Sequence, residues 1–342
     1  IHRVKGSDLV GKTYEPLFRY FADQVTEGGF VVVSDAYVTT DSGTGIVHQA
    51  PAFGEDDYRV LRAHDIAAFA CPVTMQGVFT DEVADFAGQY VKDADKEIIK
   101  HLKDSGALFR QETIQHSYPY CYRSDTPLIY RAVPSWYVNV TSIGERLLAA
   151  NEQIRWVPDH IKSGRFGNWL SGAQDWAISR NRVWGTPLPV WLNETTGNAI
   201  CMGSIEELAG YTGVIVDDLH REHVDPLVFS LAGEEGEYRR ITEVLDCWFE
   251  SGSMPYAQLH YPFENSDVFE AGFPAEFIAE GLDQTRGWFY TLTVLAAAIY
   301  DKPAFRNVIV NGMVMAEDGK KMSQRLRNYT PPDELMEAYG AD

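Results

Sequence analysis

A short loop near the end of the chain carries three cations beside a glycine. Residues 318–325 read Asp-Gly-Lys-Lys-Met-Ser-Gln-Arg and follow a strand-like run. Ligands of open α/β sheets bind beyond the carboxyl ends of strands, so Lys320, Lys321 and Arg325 are candidates to contact phosphate, with Ser323 adding a hydroxyl. By composition alone, a solvated basic loop is the simpler interpretation.

A strand-to-helix junction upstream combines carboxylates with an aromatic residue. Residues 277–288 read Phe-Ile-Ala-Glu-Gly-Leu-Asp-Gln-Thr-Arg-Gly-Trp. Asp283 has two interpretations, a cap on the following helix and a ligand contact at the edge of the sheet. Trp288 and Trp248 each lie at a predicted strand end, where a single tryptophan is more often part of the core.

A third candidate site lies near the start of the chain. Residues 42–58 read Ser-Gly-Thr-Gly-Ile-Val-His-Gln-Ala-Pro-Ala-Phe-Gly-Glu-Asp-Asp-Tyr. A glycine-rich turn, a short buried strand and an acidic helix start, capped by Asp56 or Glu55, account for most of this pattern. That structural interpretation does not explain why a histidine occupies position 48.

The elements that position these residues fall into three segments. From 29 to about 111, a strand at 30–33 and helices at 56–65 and 95–102 predict a compact α+β unit, with Gly106 at the second helix end. An alternating run at 128–140, broken by Pro134, predicts a strand that links two domains. Short helices and strands are expected at 143–240, with turns at 193–197 and 233–236.

The last hundred residues have a β–α–β pattern. We expect strands at 244–249, 277–281 and 307–315, and a helix at 284–299. Strands separated by one helix predict parallel pairing, and therefore half of a nucleotide-binding sheet.

Composition limits the class of protein. A length of 342 residues predicts two or three domains, and a net charge of −20 weighs against unassisted nucleic-acid binding. The four cysteines form no CxxC pair, which favours reduced cytoplasmic thiols and no metal site. The longest apolar stretch, 288–299, is too short to span a bilayer and predicts a buried helix. The chain begins without Met and stops just after a helical pattern, so we expect both ends to be cut from a longer chain.

The cationic loop resembles the KMSKS signature of class I aminoacyl-tRNA synthetases. The resemblance implies that Lys320, Lys321, Ser323 and Arg325 bind ATP, with Mg²⁺, and offset charge on the departing pyrophosphate. Gln324 stands where the family usually has a second lysine, so it supplies a hydrogen bond but no charge.

The junction at 277–288 resembles the isoleucyl branch of the family more specifically. The resemblance places four residues around the aminoacyl-adenylate: Glu280, Gly281, Asp283 and Gln284. It also implies that Trp248 and Trp288 form the isoleucine pocket.

The segment at 42–58 is similar to the hydrolytic site of the family's editing domain. The resemblance implies that Asp57 binds the α-amino group of a mischarged amino acid, while His48, Phe53 and Thr44 line the pocket. An editing site is physically useful because one methylene is worth only about 1–3 kcal/mol, which is too little to exclude valine. The isoleucyl enzyme is the standard example of that limit. An ordered water is the expected nucleophile, since no Ser/His/Asp or Cys/His arrangement is visible.

The resemblance covers the chain from about Lys5 onward and predicts its domains. Residues 1–117 would be the C-terminal part of the editing domain, 118–240 linker strands and a connective subdomain, and 241–342 the second half of the Rossmann-type catalytic domain. It implies a monomer that acts on isoleucine, ATP and tRNA(Ile) and does not bind membranes. The HIGH-type motif is absent from the sequence, so we expect the chain alone not to aminoacylate tRNA.

Two other functions stay open at this stage. A free-standing editing hydrolase that acts in trans would have no use for Trp248, Asp283, Gln284 or the cationic loop. A non-catalytic binding paralogue should have lost charge from that loop, and Gln324 is the one hint of such a loss.

Overall fold

The computed structural model describes residues 4–41, 44–113, 115–121, 124–322 and 326–341. The chain divides into two compact units, Ile1–Pro134 and Ser135–Asp342. None of the described helices is long and apolar enough to cross a membrane.

The helices and strands within the described residues have the following bounds. The α-helices are α1 Glu55–Ala63, α2 Val91–Asp104, α3 Gly144–Glu152, α4 Gly167–Ser171, α5 Ile205–Thr212, α6 Arg221–Val224, α7 Cys247–Gly252, α8 Met254–Ala257, α9 Ser266–Gly272, α10 Trp288–Tyr300 and α11 Pro332–Tyr339. The strands are β1 Tyr137–Val138, β2 Arg155–Val157, β3 Trp176–Ala177, β4 Ser179–Arg180, β5 Val190–Asn193, β6 Ala199–Cys201, β7 Val228–Phe229, β8 Tyr238–Arg240, β9 Val244–Leu245, β10 Ala275–Gly281 and β11 Phe305–Asn311.

The N-terminal unit contains both helices that the sequence predicts there. They form as α1 and α2, and Gly106 follows the second with φ +73°, the left-handed conformation common just after helix ends. The predicted strand at 30–33 is reduced to one antiparallel bridge between Val31 and Thr13. Phe30 has φ +58°, which is outside the extended region and prevents a regular strand from beginning there.

A parallel sheet and one buried helix organise the C-terminal unit. β10 pairs in parallel with β11, as predicted, and β11 pairs in parallel with β2, so the order is β10-β11-β2. The connecting helix α10 is apolar on almost every side, which is typical of a helix with no solvent face. Its residues Phe289, Leu292 and Val294 form the core together with residues of β2 and β11.

Three predicted strands are shorter than expected. In the run at 128–140, strand pairing is confined to Tyr137–Val138, against β3. The strand expected at 244–249 ends at Leu245, because the Asp246 side chain accepts the Trp248 N–H and caps α7. The last strand ends at Asn311 and not at 315.

A small antiparallel sheet, in the order β6-β5-β8-β7, is held at its turns by one carboxylate. Glu234 Oε1 accepts hydrogen bonds from Thr196 Oγ1 at 2.6 Å and Asn198 Nδ2 at 2.9 Å, and Tyr238 OH donates to both Glu234 oxygens. Asn193 Nδ2 contributes a longer bond at 3.3 Å. The carboxylate therefore joins the predicted turn at 193–197 to the predicted turn at 233–236.

We expect this carboxylate to make the unit acid-sensitive. The hydrogen bond from Thr196, followed by that from Asn198, lowers the pKa of Glu234. Because the folded pKa is below the unfolded value of about 4.3, the stabilisation is complete above that value. This stabilisation is lost as the pH falls through the lowered pKa.

Thermal melts between pH 7 and pH 3 should therefore show a smaller acid-induced drop in melting temperature for Glu234→Gln than for the unchanged chain. Glu194→Gln, at an exposed glutamate in the same turn, is the control, and identical curves for all three proteins would contradict the prediction.

Candidate functional site

The first candidate site lies at the carboxyl ends of β10 and β11. Gly281, the last residue of β10, is paired with Asn311, the last residue of β11. The side chain of Glu280 is exposed one residue earlier. Both strands end at the same edge of the parallel sheet, which is where open α/β sheets bind ligands.

In the turn that follows β10, the side chains of Asp283 and Gln284 make different contacts. Gln284 Oε1 accepts the backbone N–H of Trp288 at 2.8 Å, so Gln284, and not Asp283, satisfies a free donor at the start of α10. Asp283 is exposed and lies over Gly281, where an added Cβ would be 2.7 Å from its Oδ1. The capping interpretation of Asp283 is therefore wrong, and its carboxylate remains at the sheet edge.

The two tryptophans approach the same short segment of chain. Trp288 Nε1 donates to the Ser251 carbonyl in α7 at 2.9 Å, which joins α7 to the start of α10. Trp248, in α7, lies so close to Gly287 that an added Cβ there would be 3.1 Å from its ring. Trp288 packs against the core, whereas Trp248 remains 40% exposed. One indole is thus packed and hydrogen-bonded, and the other retains exposed ring surface.

Asp246 is a positioning residue that the sequence analysis did not single out. It is 4% exposed, forms an ion pair with Arg180 Nη2 at 2.9 Å and accepts Trp176 Nε1–H at 3.0 Å. With its bond to the Trp248 N–H, it fixes the start of the helix that carries Trp248. An aspartate directly before a helix start is the usual signal for such a cap, but the sequence predicts a strand at 244–249 and so hides it.

The cationic loop follows β11 and forms a tight turn. An antiparallel bridge joins Met315 to Lys321, and Gly319 has φ +74°, which glycine adopts without strain. Lys320 Nζ pairs with Asp318 at 3.2 Å, while no described residue forms an ion pair with the Lys321 side chain. Within the described residues, Lys321 is therefore the less neutralised of the two. Ser323, Gln324 and Arg325 lie outside the described residues.

The second candidate site lies in the N-terminal unit, around the start of α1. Asp57 is half-buried, and its Oδ2 accepts the backbone N–H of Ala50 at 3.0 Å. The helix itself begins after Gly54 without a side-chain cap, so neither Asp56 nor Glu55 caps it as expected. No hydrogen bond to Asp57 Oδ1 is formed within the described residues.

The other residues proposed for this site surround that carboxylate less closely. Phe53 is half-buried in the turn between Ala50 and Gly54, while the imidazole of His48 is exposed. Thr44 is exposed, and its hydroxyl bonds with the backbone of Ile46. A hydrogen bond therefore joins Asp57 to the turn at 50–54, and within the described residues no hydrogen bond joins Thr44 or His48 to Asp57.

Metal ligands are not grouped in the part of the chain that is described: no set of three His, Cys, Asp or Glu residues there could hold an ion. Two cations, Lys162 and Arg165, make structural contacts. Arg165 donates to Thr285 Oγ1 at 2.9 Å, and Lys162 pairs with Glu152 at 3.1 Å.

Comparison with known proteins identifies the class. Residues 32–342 match the family model described as tRNA synthetases class I (I, L, M and V), so the chain belongs to this family. The mixed α/β unit with its parallel sheet is part of a class I catalytic domain.

Particular members of the family are much more similar than the class as a whole. The chain is 57% identical over 348 residues to the cytoplasmic isoleucine–tRNA ligase of Arabidopsis thaliana, covering 100% of this chain and 29% of that protein. It is 56% identical over 348 residues to the isoleucine–tRNA ligase of Treponema denticola, covering 99% and 32%. The chain thus spans about a third of the length of these relatives. A solved structure of Mycobacterium tuberculosis methionyl-tRNA synthetase bound by methionyl-adenylate resembles 83% of this chain and 48% of its own, at 16% identity and a TM-score of 0.41.

Proposed function

We propose that the chain is an internal part of an isoleucine–tRNA ligase that activates isoleucine with ATP and transfers it to tRNA(Ile). The identity of 55–57% to isoleucine–tRNA ligases over essentially the whole chain supports the substrate. The structural observation that carries the proposal is the edge of the parallel sheet. There Gly281 ends one strand, Asp283 and Gln284 lie in the turn after it, and the loop with Lys320 and Lys321 comes after the next strand along the chain.

Adenylate formation at this edge requires positioning and charge more than covalent help from the protein. The carboxylate of isoleucine attacks the α-phosphorus of ATP, and pyrophosphate leaves with the bond electrons. Lys321, with Lys320, Ser323 and Arg325, stabilises the leaving pyrophosphate. Mg²⁺ enters with ATP and is held by its phosphates.

The amino-acid side of the site is apolar and aromatic. Trp248 presents exposed ring surface to the isoleucine side chain, and Trp288 holds α7 and α10 together through the Ser251 carbonyl. Glu280 and Asp283 supply carboxylates for the polar groups of the adenylate. Gly281 allows the ligand to approach the backbone closely.

The N-terminal unit is the best candidate for an editing function. We propose that residues 1–117 belong to an editing domain, 118–240 to the connective region and 241–342 to the catalytic domain. Strand β2, at 155–157, nevertheless joins the parallel sheet with β10 and β11. Asp57 would bind the ammonium of a valyl ester, and the pocket would be lined by Phe53, His48 and Thr44. A trans-editing hydrolase is disfavoured, because the chain retains the exposed Trp248 and the cationic loop that follows β11.

A pyrophosphate-exchange assay tests the ligase proposal. The full-length protein should incorporate labelled pyrophosphate into ATP when isoleucine is present, and about a hundredfold less efficiently with valine, following the known cost of a missing methylene. The 342-residue chain alone should give no exchange, since it lacks a HIGH-type motif. Exchange that depends on leucine or methionine in place of isoleucine would contradict the proposed substrate, and exchange by the isolated chain would contradict the incomplete site.

A further inference from the structure

A buried threonine links the turn after β10 to a cation that is distant in the sequence. The turn spans Leu282–Arg286. Thr285 within it is completely buried, and its hydroxyl donates to the Leu282 carbonyl at 2.8 Å. The same oxygen accepts a hydrogen bond of 2.9 Å from Arg165 Nε, 120 positions away. One hydroxyl therefore closes the turn from inside and fastens it to another part of the unit.

Arg165 lies in a single turn of π-helix, Lys162–Phe166. Such wide turns are rare and often occur at functional sites. Gly167 follows this turn, and an added Cβ there would lie 2.7 Å from the Lys162 carbonyl oxygen, so a larger residue does not fit. Phe166 is fully buried in the core, whereas Arg165 beside it is exposed and reaches Thr285. The buried phenylalanine thus anchors the backbone from which the arginine extends.

A buried amide braces the π-helical turn from behind. Asn151 is 2% exposed, and its Nδ2 donates to the Lys162 carbonyl at 3.1 Å. Its Oδ1 accepts Trp156 Nε1–H at 2.9 Å, and Trp156 belongs to β2. Because β2 and β10 are strands of one parallel sheet, the π-helical turn and the turn after β10 are both held by that sheet. Buried polar groups that are paired in this way make a local structure rigid.

A second cation fastens the end of the turn after β10. The Arg286 guanidinium carbon lies 4.7 Å from the centre of the Trp169 ring, which is a cation–π contact. Trp169 belongs to α4, which begins directly after the π-helical turn. The segment 162–171 therefore holds the turn at Thr285 and at Arg286, the two residues that follow Gln284.

We propose that Arg165 is a positioning residue for adenylate formation and acts through Thr285. Their hydrogen bond holds the turn whose Asp283 and Gln284 are proposed to bind the adenylate, so the inference deepens the proposed function and rests on it. A displacement of about 1 Å in such a site can lower the rate by about a hundredfold. Isoleucine affinity should change little, because the exposed Trp248 ring lies on α7 and not on this turn.

Burst-phase adenylate formation by the full-length protein tests the proposal. Thr285→Val keeps the shape of the side chain but removes the hydroxyl, and it should lower the rate per active site by about tenfold to a hundredfold with isoleucine affinity unchanged. Thr285→Ser retains the hydroxyl and should restore most of the rate. Thr293→Val is the matched control and should react normally, because Thr293 is equally buried and bonds to the Phe289 carbonyl of its own helix at 2.8 Å.

Arg165→Met tests the other partner of the hydrogen bond at an exposed position, where a substitution does not open the core. It should lower the rate per active site as Thr285→Val does. If both residues act through their shared bond, the double variant should be no slower than the slower single variant. Losses that multiply in the double variant, a normal rate in Arg165→Met, or equal losses in Thr285→Val and Thr285→Ser would overturn the proposal.

Melting temperatures and a count of active sites separate positioning from stability. A purely structural role would lower the melting temperature and the number of active sites but leave the rate per site unchanged, and that result would overturn the inference alone. Absence of isoleucine-dependent pyrophosphate exchange from the unchanged full-length protein would overturn the ligase proposal and this inference with it.

Discussion

Replacement of Asp57 by asparagine is expected to stop hydrolysis of valyl-tRNA by the full-length protein while isoleucine activation continues. Loss of a charged partner to a desolvated ammonium costs roughly 3–5 kcal/mol, and because Asp57 is only half-buried, the lower end applies. That corresponds to a rate of deacylation lower by about a hundredfold. Single-turnover hydrolysis of preformed valyl-tRNA measures the effect directly.

Asp57 could instead have a purely structural role in the turn, and the structure provides a control for that role. Its Oδ2 braces the turn through the Ala50 N–H, a bond that the side-chain oxygen of asparagine can still accept. Asp56→Asn removes a neighbouring carboxylate that is exposed and pairs with Arg59 at 3.3 Å, and it should leave deacylation unchanged. Normal hydrolysis by Asp57→Asn would remove the carboxylate from the editing site and leave Asp57 as a structural brace.

Replacement of Lys321 by methionine is expected to lower the rate of adenylate formation by about 10²- to 10³-fold. A preorganised charge aimed at a leaving group typically contributes an effect of this size. Isoleucine affinity should change little, because the cation acts on the phosphates and not on the amino acid. Burst-phase adenylate formation and equilibrium isoleucine binding separate the two quantities.

Lys320 is the matched control for this substitution. It has the same side chain one residue away, but it is 72% exposed and paired with Asp318. Lys320→Met should therefore reduce the rate less than Lys321→Met. Equal losses for the two variants would show that pairing with Asp318 does not make Lys320 less important than Lys321. An unchanged rate for Lys321→Met would show that Lys321 does not contribute to adenylate formation.

Local patterns in the sequence determined most elements and the motif positions. The helices α1, α2 and α10 were predicted because their apolar spacing, glycine ends and lack of interior proline are local properties of the chain. Parallel pairing of β10 with β11 followed from the single helix between them. The roles of the candidate site residues stay predictions.

Tertiary structure decided which polar groups meet. Asp246 contacts Trp176, 70 positions away, and Glu234 bonds to Thr196 across 38 positions, so no local pattern could indicate either pair. Gln284 is a different case: it accepts the N–H of Trp288, only four positions away, so the local geometry of the turn, and not a distant contact, gave it the bond that the sequence assigned to Asp283. Local propensity selects helices and strands from neighbouring residues, but a buried donor or acceptor must pair with whatever group packing brings beside it.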